Sequence, residues 1–387
     1  LILNYYKTIY STILYFMLTK SYLTQFLSFC FLSVFLMSCS TTKTLKDQNY
    51  RVKFIDEYTI PTGFIYGNEI YGGISGIDYK DGQIIMVNDS PSNPLIFSAE
   101  FNLVDLKLDT LAFTSVTKLE ADVFFEENAL DMESIRFDGE DYLISTEGNI
   151  DKELQPKLFK IGPGGEFLNE YPLPHYFLPR GKNQPRHNGV FEGLSKDLNS
   201  DGFWFANELP LVEDGKAPKL YNTNSPIRLS YFDREQNQIT RQYAVDLDRI
   251  TKIPLLPFAI NGLTEILQLD NNKFLILERS YSAGHKTQGN KVKLFLVDVT
   301  EASDIKAIDQ LRNTSEDIIY AEKNLLLDFK SIKSKLTDKI IDNLEGLCFG
   351  PTLPNGNKTL IIASDDNFSS FGPQINQFIV LELIENQ

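Results

Sequence analysis

The sequence predicts an all-β fold, a β-propeller of four-stranded antiparallel blades whose N- and C-terminal strands share one blade. Three observations predict it. One hairpin pattern recurs five times, two further strand-like runs follow each copy, and the last copy is one strand short while a spare strand precedes the first.

The clearest copy is Glu133-Ser-Ile-Arg-Phe, turning through Asp138-Gly139 into Tyr-Leu-Ile-Ser-Thr-Glu147. Apolar and polar residues alternate on both sides of the turn, the period of a half-buried strand, and Asp-Gly is a hairpin signal. The others begin at Glu192 (turn Asp201-Gly202, end Glu208), Glu265 (Asn271-Asn272, Glu278) and Glu345 (lengthened turn PTLPNGNK, Asp365). A weaker first copy runs from Ser75 through Asp81-Gly82 to Asp89. The outer strands are expected in PLIFSAEF and VDLKLDTLAF, KLFKI and EFLNEYPLP, IRLSYFD and ITRQYAVDL, and KVKLFLVDV and NLLLDFKSI. After the last hairpin only QFIVLELIE remains, so RVKFIDEYTIP (51–61) is expected to complete that blade and remove an exposed edge. Five blades are expected; the alternative is a degenerate sixth within 209–262 or 300–340, where SDIKAIDQLRNTSEDI reads as an irregular or helical insertion.

The N-terminal stretch is of another kind. Met17 is the expected start, Lys20 a short positive region, and Phe26–Met37 an apolar run of signal-peptide length, shorter than the ~20 residues of a span. Leu36-Met37-Ser38-Cys39 reads as a lipobox. The expected divisions are therefore a leader (1–38), a lipidated Cys39 with its polar tether (39–50), and the propeller (51–387), giving a membrane-anchored lipoprotein of the bacterial cell envelope. Cys30 falls in the leader, so only Cys348 would remain as a thiol and no internal disulfide can form. A net charge of −15 without a visible basic run excludes a nucleic-acid backbone as partner. A monomer is expected.

In a hairpin, the start of one strand and the end of the next share an edge. Glu133 should therefore neighbour Glu147, as should Glu192 with Glu208, Glu265 with Glu278, and Glu345 with Asp365. With Asp89 and Asp366 these acids would crowd one axial mouth, where like charges need protons, basic partners or a cation. Clustered oxygens suit Ca²⁺, whereas three histidines (His175, His187, His285) are too few for zinc. The alternative is that the acids only tie turns to backbone N–H groups. Arg279, Arg186, His187 and His285 are the basic candidates for gripping a small anionic substrate at that mouth; Arg279 alternatively only neutralises the glutamates. Arg136, within a strand, is expected to pack sideways or pair with an acid. No nucleophile elbow, P-loop or dinucleotide fingerprint occurs; nothing marks Ser145 or Ser280 as nucleophiles, and Cys348 lies in an apolar strand.

Asp131-x-Glu133-Ser-Ile, Ser145-Thr-Glu147-Gly148, Phe191-Glu192-Gly193-Leu194, Leu277-Glu278-Arg279-Ser280 with Asn290-Lys291-Val292, and Asn343-Leu344-Glu345-Gly346-Leu347 together resemble the family called esterase-like activity of phytase. The resemblance spans roughly residues 70 to 383 and implies a secreted or surface-bound propeller. It also implies phosphoester hydrolysis and calcium dependence as in propeller phytases. The sequence departs from the pattern at Ser75-Gly76, where an acid would be expected. A non-catalytic propeller that binds a ligand or protein around a structural cation is the competing expectation.

Overall fold

A computed structural model describes residues 49–119, 122–312, 314, 317–369 and 374–386. The leader, the lipobox and Cys39 lie outside the described residues. Tyr50–Gln387 forms one compact unit. The chain enters through β1 (Tyr50–Ile60) and a small hairpin, β2 (Ile65–Tyr66) and β3 (Glu69–Ile70). Blade one is β4 (Ile74–Lys80), β5 (Gln83–Asn88), β6 (Leu95–Val104) and β7 (Lys107–Lys118). Blade two is β8 (Met132–Asp138), β9 (Asp141–Thr146), β10 (Lys157–Ile161) and β11 (Phe167–Glu170). Blade three is β12 (Phe191–Lys196), β13 (Phe203–Asn207), β14 (Pro226–Asp233) and β15 (Gln238–Asp246). Blade four is β16 (Ala259–Gln268), β17 (Lys273–Ser282), β18 (Asn290–Asp298) and β19 (Glu322–Asp328). Blade five is β20 (Asn343–Phe349), β21 (Lys358–Asp365) and β22 (Asn376–Glu385), and β1 pairs antiparallel with β22 to complete it.

The five-bladed, terminally closed propeller is the one the repeat predicts. The described part of 304–321 contributes no strand, so there is no sixth blade there. The turns are built as their residues dictate: Asp81 and Gly82 both take positive φ, 51° and 90°, the type I′ pattern that suits strand twist.

The apolar core lies between neighbouring blades. Ile77, Met86 and Phe97 pack on Ile361, Ala363 and Val380 across the closure. Leu277 and Leu294 pack on Leu344 and Ile362, and Trp204 and Leu229 on Ile266 and Ile276. Every inner strand (β4, β8, β12, β16, β20) thus has a neighbour on each side, and its free edge faces the axis.

Five free edges around one axis leave backbone groups that burial makes costly to abandon. A single side chain meets them. Arg136 is buried, and its guanidinium donates to the carbonyls of Ile77, Ile135, Leu194, Ile266 and Leu347, one from each blade. These five carbonyls occupy the same position in the five inner strands, two residues past a common bulge. Arginine is the residue with five N–H donors in a fixed fork. Glu265 completes the plug: it pairs with Arg136 at 2.8 Å and accepts from the Leu194 and Ile266 N–H groups and the Ser134 hydroxyl.

Candidate metal centre at the axial mouth

Each inner strand carries a β-bulge, near its start in four blades and mid-strand in β16, and the extra residue is Ser75, Glu133, Glu192, Thr264 or Glu345. A bulge re-aims one side chain out of the ladder. The residue beside it on the adjacent strand or just past that strand's end is Asp89, Glu147, Glu208, Arg279 or Asp365. Two hydroxyls therefore stand where three blades have an acid. Ser75 Oγ donates to the Met132 carbonyl at 2.6 Å, and Thr264 Oγ1 contacts the Leu344 carbonyl at 3.4 Å, so both tie their blade to the next.

The fourth copy is thereby shifted by one residue from its expected alignment, at both ends. The expected Glu265–Glu278 pair does not form, because the two residues flank the bulge on opposite sides. Glu265 is the partner of Arg136 on the axis. Glu278 faces the outer strands, where it pairs with Lys323 and accepts from Asp248 N–H and Asn261 Nδ2. Neither belongs to the mouth cluster. The residue that does is Arg279, whose Nη2 reaches Glu345 Oε1 at 2.8 Å.

The other expected pairs do meet. Carboxylate oxygens of Asp131, Glu133 and Glu147 lie within 4.8 Å of one another, as do those of Glu147, Glu192 and Glu208. Glu147 belongs to both triads. Asn343 Nδ2 bridges Glu345 and Asp365 at 2.9 and 3.0 Å. Asp131 was visible in the sequence only as the partner of Glu133 in Asp131-x-Glu133, a spacing of two that puts both acids on one side of an extended chain. Asp366 is used structurally, accepting from Gly73 N–H, Phe368 N–H and Asn376 Nδ2 across the closing blade.

Eight carboxylates (Asp89, Asp131, Glu133, Glu147, Glu192, Glu208, Glu345, Asp365) against one guanidinium would carry 8 − 1 = 7 negative charges if all ionised. Burial, reinforced by the neighbouring acids, pushes Asp131 up to about 6, Asp89 and Glu147 to about 7 and Glu208 to about 8. Burial also drives Glu133, Glu192 and Asp365 far above the usual carboxylate range, with like-charged neighbours adding to it. Burial alone would lower Arg279, but Glu345, Glu208, Glu192 and Asp365 outweigh it and hold the guanidinium charged. Glu192 is only 7% exposed, and its Oε2 has no hydrogen-bond partner among the described residues. An all-oxygen donor set with an orphaned buried carboxylate oxygen fits a hard divalent cation such as Ca²⁺.

The remaining basic candidates do not converge on these acids. Arg186 donates from Nε to the Pro210 carbonyl (3.0 Å) and from Nη2 to the Gly215 carbonyl (2.8 Å), pinning the loop after β13. His187 lies 3.7 Å from Asp151, and His285 Nε2 is 2.9 Å from the Ile253 carbonyl. Arg186→Ala should accordingly lower stability by about 1–3 kcal/mol in a denaturant titration, the cost of orphaned carbonyls. A role in gripping substrate predicts instead a raised KM at unchanged stability.

The molecule is thus a five-bladed propeller with a buried acidic mouth at the start of its inner strands. Residues 69–368 match the family described as "Phytase-like: Esterase-like activity of phytase", and the chain belongs to that family. No curated protein sequence matches the chain. Among solved structures it is similar to an exo-1,5-α-L-arabinanase from a bovine ruminal metagenomic library, at 8% identity over 79% of this chain and 91% of that one, TM-score 0.40. A β-1,3-galactosidase with galactodeoxynojirimycin has 7% identity over 84% and 94%, TM-score 0.42. A glucose-dehydrogenase-like oxidoreductase from Thermus thermophilus has 10% identity over 87% and 100%, TM-score 0.37. These likenesses are too distant to speak to the chemistry.

Proposed function

We propose that the chain is a calcium-dependent phosphoester hydrolase acting on a small anionic substrate at the axial mouth, and that Cys39 anchors it by lipid in the bacterial cell envelope. The observation that supports the catalytic part is the pair of carboxylate triads joined through Glu147, beside the orphaned Glu192 Oε2. Asp131, Glu133 and Glu147 would hold one cation, and Glu147, Glu192 and Glu208 a second. Bound there, the cations would supply Lewis-acid stabilisation of phosphoryl oxygens and a more acidic water. The chain's own part is to hold eight acids in a buried ring, to keep Arg279 charged beside Glu345, and to keep Asp89, whose pKa burial raises to about 7, available to hold a proton near neutral pH. The anchor rests on the lipobox alone.

The test is turnover of a phosphoester panel by the form beginning at Tyr50, with calcium and with EDTA. Hydrolysis is expected only with calcium, and at least 100-fold weaker in Glu147→Gln, about the loss expected when one charge-stabilising group is removed. Equal turnover in EDTA would overturn the proposal. A second reading is favoured by the dispersal of Arg186, His187 and His285: a binding propeller whose cation is structural. Calcium stabilisation without turnover of any ester would select it.

A further inference from the structure

The loop from β15 to β16 contains Ile253-Pro-Leu-Leu-Pro-Phe258, and four of its side chains stand in solvent. Ile253, Leu255, Leu256 and Phe258 are 72, 68, 59 and 56% exposed. Single exposed apolar residues are ordinary, but four in one hexapeptide are a patch. The loop is held in this presentation. The N–H groups of Leu255 and Leu256 both donate to the Ala283 carbonyl, at 2.8 and 3.2 Å, and Ala283 N–H donates back to Phe258 at 3.0 Å. The prolines at 254 and 257 fix φ at two further places. Exposure this high on four neighbouring chains makes the loop a projection rather than a groove.

Lysines surround it. Lys252 lies within the loop, Lys286 comes from the β17–β18 connection, Lys291 from the start of β18, and Lys330, Lys333, Lys335 and Lys339 from the segment between β19 and β20. Gln288 draws the three segments together: its backbone carbonyl accepts from Lys252 Nζ, its side-chain oxygen from Lys333 Nζ, and its Nε2 reaches the Lys339 carbonyl at 3.5 Å. Lys291 Nζ donates to Thr251 Oγ1 at 2.8 Å. These partners are neutral, so the ammonium charges stay uncompensated there. Lys252, Lys291 and Lys333 are close enough that, after burial, their mutual repulsion lowers the Lys252 pKa. Nearby acids have local partners: Asp328 accepts from Lys330 N–H, Glu57 from Thr337, and Asp248, in the same β15–β16 loop, pairs with Lys293 and Lys323. Asp338 lies in the segment between β19 and β20, and most acids of the mouth on the same side are buried. A chain of net charge −15 has thus brought Lys252, Lys291 and Lys333 together beside an apolar projection, with four more lysines on the adjoining segments.

We propose that this surface docks the propeller onto an anionic lipid bilayer, the apolar tips entering the acyl boundary and the lysines meeting the headgroups. A projecting apolar tip with a basic rim matches a bilayer interface, where long lysine stems reach the headgroup plane. All three segments join strand ends on the mouth side, so docking would turn the mouth toward the membrane. The proposal is independent of catalysis and of the lipid on Cys39.

The form beginning at Tyr50 carries every strand of the five blades and omits the leader, so it tests the surface alone. It is sedimented with vesicles of phosphatidylcholine, or of phosphatidylcholine with about one-third phosphatidylglycerol, a composition chosen to load the surface potential. EDTA is present throughout, so that no calcium bridges the acidic mouth to lipid. Co-sedimentation is expected with the anionic vesicles, weakened by salt. Leu255→Ser/Leu256→Ser and Lys333→Glu/Lys335→Glu should each lower partitioning about tenfold or more. Leu255, Leu256 and Lys335 are exposed and Lys333 is half-buried, and unchanged melting temperatures confirm that both variants fold. Absence of wild-type binding to anionic vesicles, or binding that both variants retain, overturns the proposal. So does concentration-dependent dimerisation that the Leu255→Ser/Leu256→Ser variant abolishes, since a second copy then covers the patch.

Discussion

Arg136→Met is expected to destabilise the propeller by about 5 kcal/mol or to abolish its cooperative unfolding, as read from urea denaturation. The reason is local. The substitution removes the donors to five inner-strand carbonyls and leaves Glu265 buried beside no cation. Breaking a buried pair by removing one partner typically costs about 3–5 kcal/mol, and each orphaned carbonyl adds to it. Lysine should rescue little, because one ammonium has three donors and no planar fork. Adding Glu265→Met to Arg136→Met should recover part of the loss by removing the stranded carboxylate. An Arg136→Met midpoint within 1 kcal/mol of wild type, on the order of an ordinary surface change, would contradict the axial plug.

Glu147→Gln is expected to act in opposite directions with and without calcium. Without the ion, Glu147 is one of eight acids whose ionisation burial and mutual repulsion disfavour. Its folded pKa of about 7 lies above the ordinary carboxylate value, so between about pH 4 and 8 the folded state binds more protons than the unfolded. Stability of the metal-free protein should therefore fall as pH rises through that window. The amide removes one charge and can still accept from Val190 N–H at the same oxygen. Metal-free Glu147→Gln should then melt a few degrees above wild type at pH 8, and no higher at pH 4. With calcium the order reverses. A ligand at 100 times its Kd adds about 2.7 kcal/mol to wild type, roughly 5 °C, and the variant should lose that gain because both triads share Glu147. A wild-type melting temperature that rises from pH 5 to 8 without metal would sink the electrostatic account of the mouth.

The strand order, the five blades and the shared closing blade were legible because a period of two and a turn residue are local signals. The mouth was legible in part, since hairpin geometry alone brings Glu133 to Glu147 and Glu192 to Glu208. The fourth copy was not. Aligning its acids placed Glu265 and Glu278 in register with the others, whereas the bulge sets Thr264 and Arg279 there. The available signal was apolar rather than acidic: Ile77, Ile135, Leu194 and Leu347 each stand two residues past the bulge, and Ile266 fits that frame only if Thr264 is the bulged residue. The sequence leaves Arg136 either packing sideways or pairing with an acid, and does not show it as the axial plug. Its carbonyl partners lie up to 211 positions away, and nothing local marks which strand edges will face an axis.

Isothermal titration of calcium into the metal-free form beginning at Tyr50, in two buffers of different ionisation heat, bears most directly on the mouth as a cation site. Binding to wild type with release of protons is expected, because the cation displaces them from acids whose pKa values burial has raised. Glu147→Gln should bind far more weakly and release fewer. Absence of calcium binding by wild type, or binding that Glu147→Gln leaves intact, would contradict it.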